Sequence, residues 1–167
     1  PVLGANGQPV AEKKRSITSN EPLPALSVMY HISDAWKVFA NYETSFGSLQ
    51  YFQLGQGGTG NSTANGLEPE KAKTYEIGTR YDNGGFAGEL TAFYIDFDDE
   101  LQYISNDVGW TNLGATKHQG IEASVRYDLA GLDPRLDGLS VSGGYTYTRA
   151  TYEGDIPGFK GRDLPFY

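Results

Sequence analysis

The chain has 167 residues, with 22 Gly, 12 Tyr, 8 Phe, one Met and no Cys, and a formal net charge of -8. The missing cysteine rules out a disulfide framework and thiolate metal sites and fits passage through an oxidising periplasm, while few, scattered Lys and Arg exclude nucleic acid as a partner. No apolar run approaches the roughly 18 residues of a transmembrane helix, and Tyr and Phe beside Gly, Asn, Asp and Thr are the composition of a barrel wall rather than a soluble core.

Residues 1–23 are polar, rich in Pro and Gly, and carry the solvated basic cluster Lys13, Lys14 and Arg15, so they read as a loop. A first strand follows, in which Leu26, Val28, Tyr30 and Ile32 alternate with Ser27, Met29 and His31. Ser33, Asp34 and Ala35 turn the chain into a second strand. There Trp36, Val38, Ala40, Tyr42, Thr44 and Phe46 form a lipid-compatible stripe, and Lys37, Asn41, Glu43 and Ser45 suit water. Phe39 is the one misfit. Ten residues at roughly 3.3 Å each, tilted by about 45°, rise roughly 23 Å, near the ~25 Å apolar band of an outer-membrane barrel.

Residues 47–73 are a long polar loop rich in glycine, with Gly55, Gly57, Gly58 and Gly60. The third strand sets Tyr75, Ile77, Thr79 and Tyr81 against Glu76, Gly78, Arg80 and Asp82. Asn83-Gly84 is a strong hairpin signal of type I′, since that turn needs positive φ at both central residues. A turn at those two residues predicts the pairs Tyr81 with Phe86, Thr79 with Gly88, Ile77 with Leu90 and Tyr75 with Ala92, keeping the apolar residues of both strands on one face. Beyond Tyr94 a continuous strand would aim Asp96 at lipid, so this part is expected to rise above the membrane.

A second polar loop spans residues 105–116. The fifth strand has Ile121, Ala123, Val125, Tyr127 and Leu129 opposite Glu122, Ser124, Arg126 and Asp128. A connection at residues 130–138 leads to the sixth, with Leu139, Val141, Gly143, Tyr145 and Tyr147 opposite Ser140, Ser142, Gly144, Thr146 and Thr148. Residues 153–167 read as the start of another loop, and the sequence reads as a segment of something longer, cut at both ends. Tyr30, Trp36, Tyr81, Phe86 and Tyr127 all fall on the apolar side at the short-turn end, as one aromatic girdle. Short turns therefore share one end, expected to be periplasmic. The loops at 1–23, 47–73, 105–116 and 153–167 share the other, expected to be extracellular.

Four pieces in order resemble the C-terminal part of the barrel of TonB-dependent outer-membrane receptors, more narrowly those for ferric siderophores and ferric citrate. They are Leu67, Glu68, Pro69, Glu70, Lys71 with Tyr75, Glu76, Ile77, Gly78, Arg80, Tyr81; the hairpin residues Ala92, Phe93, Tyr94, Ile95, Asp96, Phe97; a Gly-x-Glu strand start at Gly120, Ile121, Glu122; and Val141 to Thr148 followed by Leu164, Pro165, Phe166. The resemblance implies an all-β fold, with residues 24–152 supplying about six antiparallel strands of a 22-stranded transmembrane barrel in the outer membrane of a Gram-negative bacterium. It also implies import of an iron chelate, with energy passed from TonB through a plug domain absent from this chain. No catalysis or resident cofactor is implied, the Fe(III) chelate being the ligand. A general porin wall, an outer-membrane barrel enzyme and a Tyr-rich soluble β-sandwich are the rival readings.

Tyr103, Trp110, Lys160 and Arg162 combine aromatic faces with cations that suit an anionic iron complex, and are the candidate ligand residues. The acidic run Asp96, Asp98, Asp99, Glu100 lacks the spacing of an EF-hand and reads as a solvated strand edge. His31 and His118 lie on different strands without Cys or Glu at ligand spacing and read as ordinary lumen or loop histidines, so no metal site is expected. No Gly-x-Ser-x-Gly occurs, the glycines at 55–60 lack the Lys and Ser/Thr of a phosphate loop, and Asn61-Ser62-Thr63 is a formal glycosylation sequon. Arg80 and Arg126 are expected in inter-strand ion pairs. Arg149 is placed at the outer rim, within reach of lipopolysaccharide phosphates.

Overall fold

The structure, a computed structural model, describes residues 20–50, 67–105, 109–154 and 158–164. The basic cluster at 13–15, the glycines at 55–60 and the sequon Asn61-Ser62-Thr63 lie outside the described residues. Alternating side chains produce strands β1 (Ala25–His31), β2 (Trp36–Gly47), β3 (Glu70–Asp82), β4 (Phe86–Asp98), β5 (Leu101–Ser105), β6 (Gly109–Asn112), β7 (Thr116–Asp128) and β8 (Ser140–Tyr152). Six of them form one antiparallel sheet in the order β1-β2-β3-β4-β7-β8, while β5 and β6 make a separate two-stranded hairpin. Two 3-10 turns, Leu129–Gly131 and Pro134–Leu136, fill the connection from β7 to β8.

Among the described residues the sheet is open and carries no second layer. On its apolar face Leu26, Val28, Ile77, Leu90, Val125 and Val141 are all exposed, Ile77 by 66%. A water-soluble body would pack such side chains together, so the β-sandwich reading fails and the face needs a covering from outside the sheet.

The apolar side chains of β3 and β4 share a face as expected, but the rungs differ from the expected ones. Tyr81 lies opposite Gly88, Thr79 opposite Leu90, Ile77 opposite Ala92 and Tyr75 opposite Tyr94, a shift of two residues on β4. The turn is centred on Gly84 and Gly85, with the Asn83 N–H donating to the Phe86 carbonyl at 3.1 Å. Asn83 keeps a negative φ and uses its side-chain oxygen to accept from the N–H groups of Gly85 (3.1 Å) and Phe86 (2.7 Å), so Gly84 alone, at φ 86°, takes the left-handed conformation. That is the positive-φ pattern of a II′ turn rather than of I′. Because side chains repeat every two residues, a two-residue shift leaves the facing intact.

Strands reach further up than the alternation suggested. β3 begins at Glu70, inside the stretch expected to be loop; Gly120 lies within β7 rather than at its start; and the supposed loop at 105–116 contains β6 and the end of β5. β4 continues unbroken to Asp98, so Asp96 stays on the apolar side, opposite Lys73 on one neighbour and Lys117 on the other.

Phe39, the misfit, has a structural reason. It lies opposite Gly78, where an added Cβ would run into its ring and stand 2.9 Å from the Leu90 carbonyl oxygen. Phe93 stands opposite Gly120 in the same way, and a Cβ there would also strike the Tyr147 carbonyl. Twice, then, a ring on the polar face fills the space that a glycine leaves. On that face Arg80 pairs across strands with Glu89 at 2.7 Å, as expected, and lies over Phe39 at 5.8 Å. Arg126 departs from expectation. Its cross-strand neighbours are Ala87 and Ser142, so its carboxylate partner is Asp128 on its own strand, at 3.7 Å.

Candidate functional site

The wall strand β4 gives way to the β5–β6 hairpin at Asp99, whose φ of 57° lies in the left-handed region that Asp tolerates better than most residues. Asn112, at the end of β6, holds this bend. Its side-chain amide donates to the Asp99 carbonyl (2.7 Å) and the Glu68 carbonyl (2.8 Å), and its side-chain oxygen accepts from the Glu68 N–H (2.9 Å). The Glu70 carboxylate accepts from the Leu101 N–H at 3.1 Å, and Leu67 is buried. The Leu67, Glu68, Pro69, Glu70 element thus anchors the hairpin root from the β3 side.

From the β7 side the anchor is a buried polar cluster. Thr116 is fully buried and its hydroxyl donates to the Glu100 carboxylate through a short hydrogen bond. His118 Nε2 lies 3.3 Å from the same Glu100 oxygen and 3.4 Å from the Thr116 hydroxyl, with the Phe97 ring 5.0 Å from its own. Backbone bonds close the root, from the Glu100 N–H to the Gly114 carbonyl (3.2 Å) and from the Leu113 N–H to the Glu100 carbonyl (2.8 Å). Glu100 at 9% exposure and His118 at 6% are therefore neither a solvated strand edge nor an ordinary loop histidine. Removing either partner would strand polar groups away from water. No local sequence signal marks this cluster, because Glu100 and His118 stand 18 residues apart and meet only once the hairpin folds back.

The candidate ligand residues fall into two pairs. Tyr103 and Trp110 lie directly opposite each other on β5 and β6, with their rings 5.8 Å apart and near edge-on. Lys160 and Arg162 share the turn after β8; both are exposed, and the Arg162 guanidinium lies 5.5 Å above the Phe159 ring. That turn is tied down by Tyr152 N–H to Arg162 carbonyl and Gly161 N–H to Tyr152 carbonyl bonds (2.9 and 2.7 Å). The Glu153 N–H donates to the Ala115 carbonyl at 2.8 Å, which links this turn's strand to the exit of the hairpin. Both pairs thus stand at the long-loop end, one presenting flat rings and the other positive charge. Among the described residues no group of three or more His, Cys, Asp or Glu is arranged to hold a metal ion.

At the opposite end Trp36 lies across from Tyr81, the Tyr81 and Phe86 rings are 6.1 Å apart, and Phe86 lies across from Tyr127, giving one row of aromatics over β2, β3, β4 and β7. Tyr30 sits opposite Val38, off that row. Trp36 also donates from its indole nitrogen to the Thr79 hydroxyl at 2.7 Å. A second row went unrecognised in the sequence: Tyr42, Tyr75 and Tyr94 share a rung, with rings 5.1 and 6.1 Å apart. The available clue is that Tyr42 stands six residues from Trp36 and Tyr75 six from Tyr81, which sets both on the same face.

The family model described as TonB dependent receptor-like, beta-barrel matches residues 3–166. The catecholate siderophore receptor Fiu of Escherichia coli (strain K12) is 30% identical over 155 residues, covering 90% of this chain and 20% of that protein. The solved structure of the unliganded ferric citrate transporter FecA superposes with a TM-score of 0.64 at 40% identity, covering 87% of this chain and 21% of that one. The copper transporter OprC, at 16% identity and a TM-score of 0.60 over 84% of this chain and 21% of its own, shares the fold. This chain thus spans about a fifth of the length of the relatives it matches. These matches favour neither a general porin wall nor a barrel enzyme.

Proposed function

Since the chain belongs to the TonB-dependent receptor-like β-barrel family of the Gram-negative outer membrane, whose members are receptors and transporters rather than enzymes, we propose that it forms part of the wall and mouth of a receptor for ferric citrate. The observation that carries this reading is the 40% identity to the FecA structure over 87% of the chain. The whole protein would import its chelate with energy from TonB, passed through a plug domain housed in the barrel. The apolar face would meet lipid, the row Trp36, Tyr81, Phe86 and Tyr127, with Tyr30 beside it, would mark the periplasmic border, and the long loops would face outward. Lys160 and Arg162 supply the charge that a polycarboxylate complex requires, and Arg is suited to binding a carboxylate through two parallel hydrogen bonds. Tyr103 and Trp110 would close over the complex from the hairpin.

Titration of the full-length protein decides the matter, using Trp fluorescence with ferric citrate in one arm and a ferric catecholate in the other. Saturable quenching by ferric citrate, weakened by about tenfold in R162Q as expected for one lost charge-assisted pair, supports the reading. Saturation by the catecholate alone would replace it.

A further inference from the structure

The turn between β3 and β4 gathers around one side-chain amide the groups that acyl transfer needs. The Asn83 side-chain oxygen accepts from two backbone donors, the Gly85 N–H at 3.1 Å and the Phe86 N–H at 2.7 Å. Two donors on a carbonyl oxygen are the arrangement that stabilises the oxyanion formed when the carbon beside it is attacked. Next along the chain is the backbone nitrogen of Gly84, whose N–H already donates to the Asp82 carboxylate at 2.8 Å. A carboxylate within hydrogen-bond reach of the proton to be removed has the placement of a general base.

The rest of the turn favours the same chemistry. Gly84, at φ 86°, has no side chain to shield its nitrogen, and a Cβ added there would meet nothing within 4 Å. Residues 81–86 are all exposed, so water reaches the amide. The Asn83 N–H bond to the Phe86 carbonyl, at 3.1 Å, holds the hairpin closed while the side chain reacts. The site lies at the short-turn end, at the opposite end of the strands from Tyr103, Trp110, Lys160 and Arg162.

We propose that Asn83-Gly84 is a self-modifying site, at which the turn itself converts the Asn83 amide to a carboxylate with water as the co-reactant. Asp82 takes the Gly84 N–H proton, the nitrogen attacks Asn83 Cγ, and the charge that develops on the side-chain oxygen is held by the Gly85 and Phe86 N–H groups. The Cγ–Nδ2 bond then breaks, and ammonia leaves with the proton that Asp82 returns. A five-membered succinimide remains. Water adds to one of its two carbonyls and gives a proton back to the Gly84 nitrogen; opening at Cγ yields aspartate, and opening at the backbone carbonyl yields isoaspartate. Either product places a second negative charge beside Asp82. Isoaspartate also lengthens the main chain by one methylene, which removes the geometry that caps Gly85 and Phe86 and loosens the hairpin as the receptor ages.

The test incubates the full-length receptor in detergent micelles at neutral pH in water enriched in oxygen-18, digests it in ordinary water, and maps the peptides by mass spectrometry. Label in the peptide that contains Asn83 then counts only conversions that precede digestion. The same protein unfolded in guanidinium chloride is the reference. Label is expected to enter on the order of tenfold faster in the folded receptor than in the unfolded one. D82N keeps a side-chain oxygen for the Gly84 N–H but removes the base, so it is expected to lose this acceleration while its unfolded rate stays that of wild type. Heat-modifiable mobility on gels shows whether the variant forms a barrel, and the wild-type comparison decides alone where it does not. A folded rate at or below the unfolded one would mean that the cap protects the amide and would overturn the proposal, as would full speed in folded D82N.

Discussion

Between the two aromatic rows, from Trp36 to Tyr42 on β2 and from Tyr81 to Tyr75 on β3, the sheet buries almost nothing of its own, Thr91 on the polar face being the exception. Above the Tyr42–Tyr75–Tyr94 row the strands and the segments that join them bury Leu67, Ala72, Glu100, Thr116, His118, Ala150 and Tyr152, all at or below 9% exposure. On the orientation proposed above, the lower region would rely on its hydrogen-bonded ladder and on a bilayer solvating its apolar face. The upper region would emerge into water, where lipid offers nothing, and it carries a small core of its own. That core includes the Thr116, Glu100 and His118 cluster, which locks the hairpin bearing Tyr103 and Trp110 onto the wall.

The largest disturbance is expected where the lower region is least forgiving. In Gly120→Val the new Cβ would meet the Tyr147 carbonyl and the Phe93 ring. Overpacking against backbone is expected to cost about 3 kcal/mol or more. The full-length variant should lose its heat-modifiable mobility on gels.

Leu90→Lys, on the exposed apolar face, separates the two regions more directly. A lysine near the bilayer midplane is expected to cost about 2–4 kcal/mol in urea unfolding from lipid vesicles, whereas Gln119→Lys on the tyrosine rung should cost about 0–1 kcal/mol. Equal costs at both positions would mean that the band between the rows is not the membrane-facing part.

A third comparison concerns the upper core. Glu100→Ala leaves the buried Thr116 hydroxyl and the His118 ring without the carboxylate they share. The expected loss is about 1–3 kcal/mol and local. Protease should cut the β5–β6 hairpin faster, while the urea midpoint of the barrel stays within error of wild type. A global loss of the same size would show that upper and lower regions unfold together.

The contrast also explains what was legible in the sequence. Below the tyrosine row a residue's face follows from parity alone, so the sides of Ile77, Leu90 and Val125 could be read directly. Parity is blind to shifts of two, so it cannot tell the expected β3–β4 rungs from the observed ones, which arise because Asn83 caps the turn with its side chain instead of entering it. Above the row, pairing partners come from distant segments. Asn112 binds Glu68 and Asp99, and Glu100 binds Thr116, without any periodic pattern announcing it. The strands Leu101–Ser105 and Gly109–Asn112 are too short to alternate convincingly, so β6 falls inside the loop that the sequence predicts at 105–116. Tyr103 and Trp110 could be chosen by residue type, but that they stand opposite each other could not.

The smallest effect tests the lower region's polar face. Arg80 and Glu89 make a 2.7 Å pair, yet their side chains are 49% and 33% exposed, so the pair should contribute well under its Coulomb value. Arg80→Gln also removes the guanidinium above Phe39, worth about 0.5–1 kcal/mol at an exposed site. The total is expected near 1 kcal/mol, with a double-mutant cycle against Glu89→Gln giving a coupling of about 0.5 kcal/mol or less. A coupling above about 2 kcal/mol would place this face in a dry environment, as happens when another part of the protein covers it. The lower region would then depend on internal packing as the upper one does, and the distinction between a lipid-supported wall and a self-supported rim would hold for the apolar face alone.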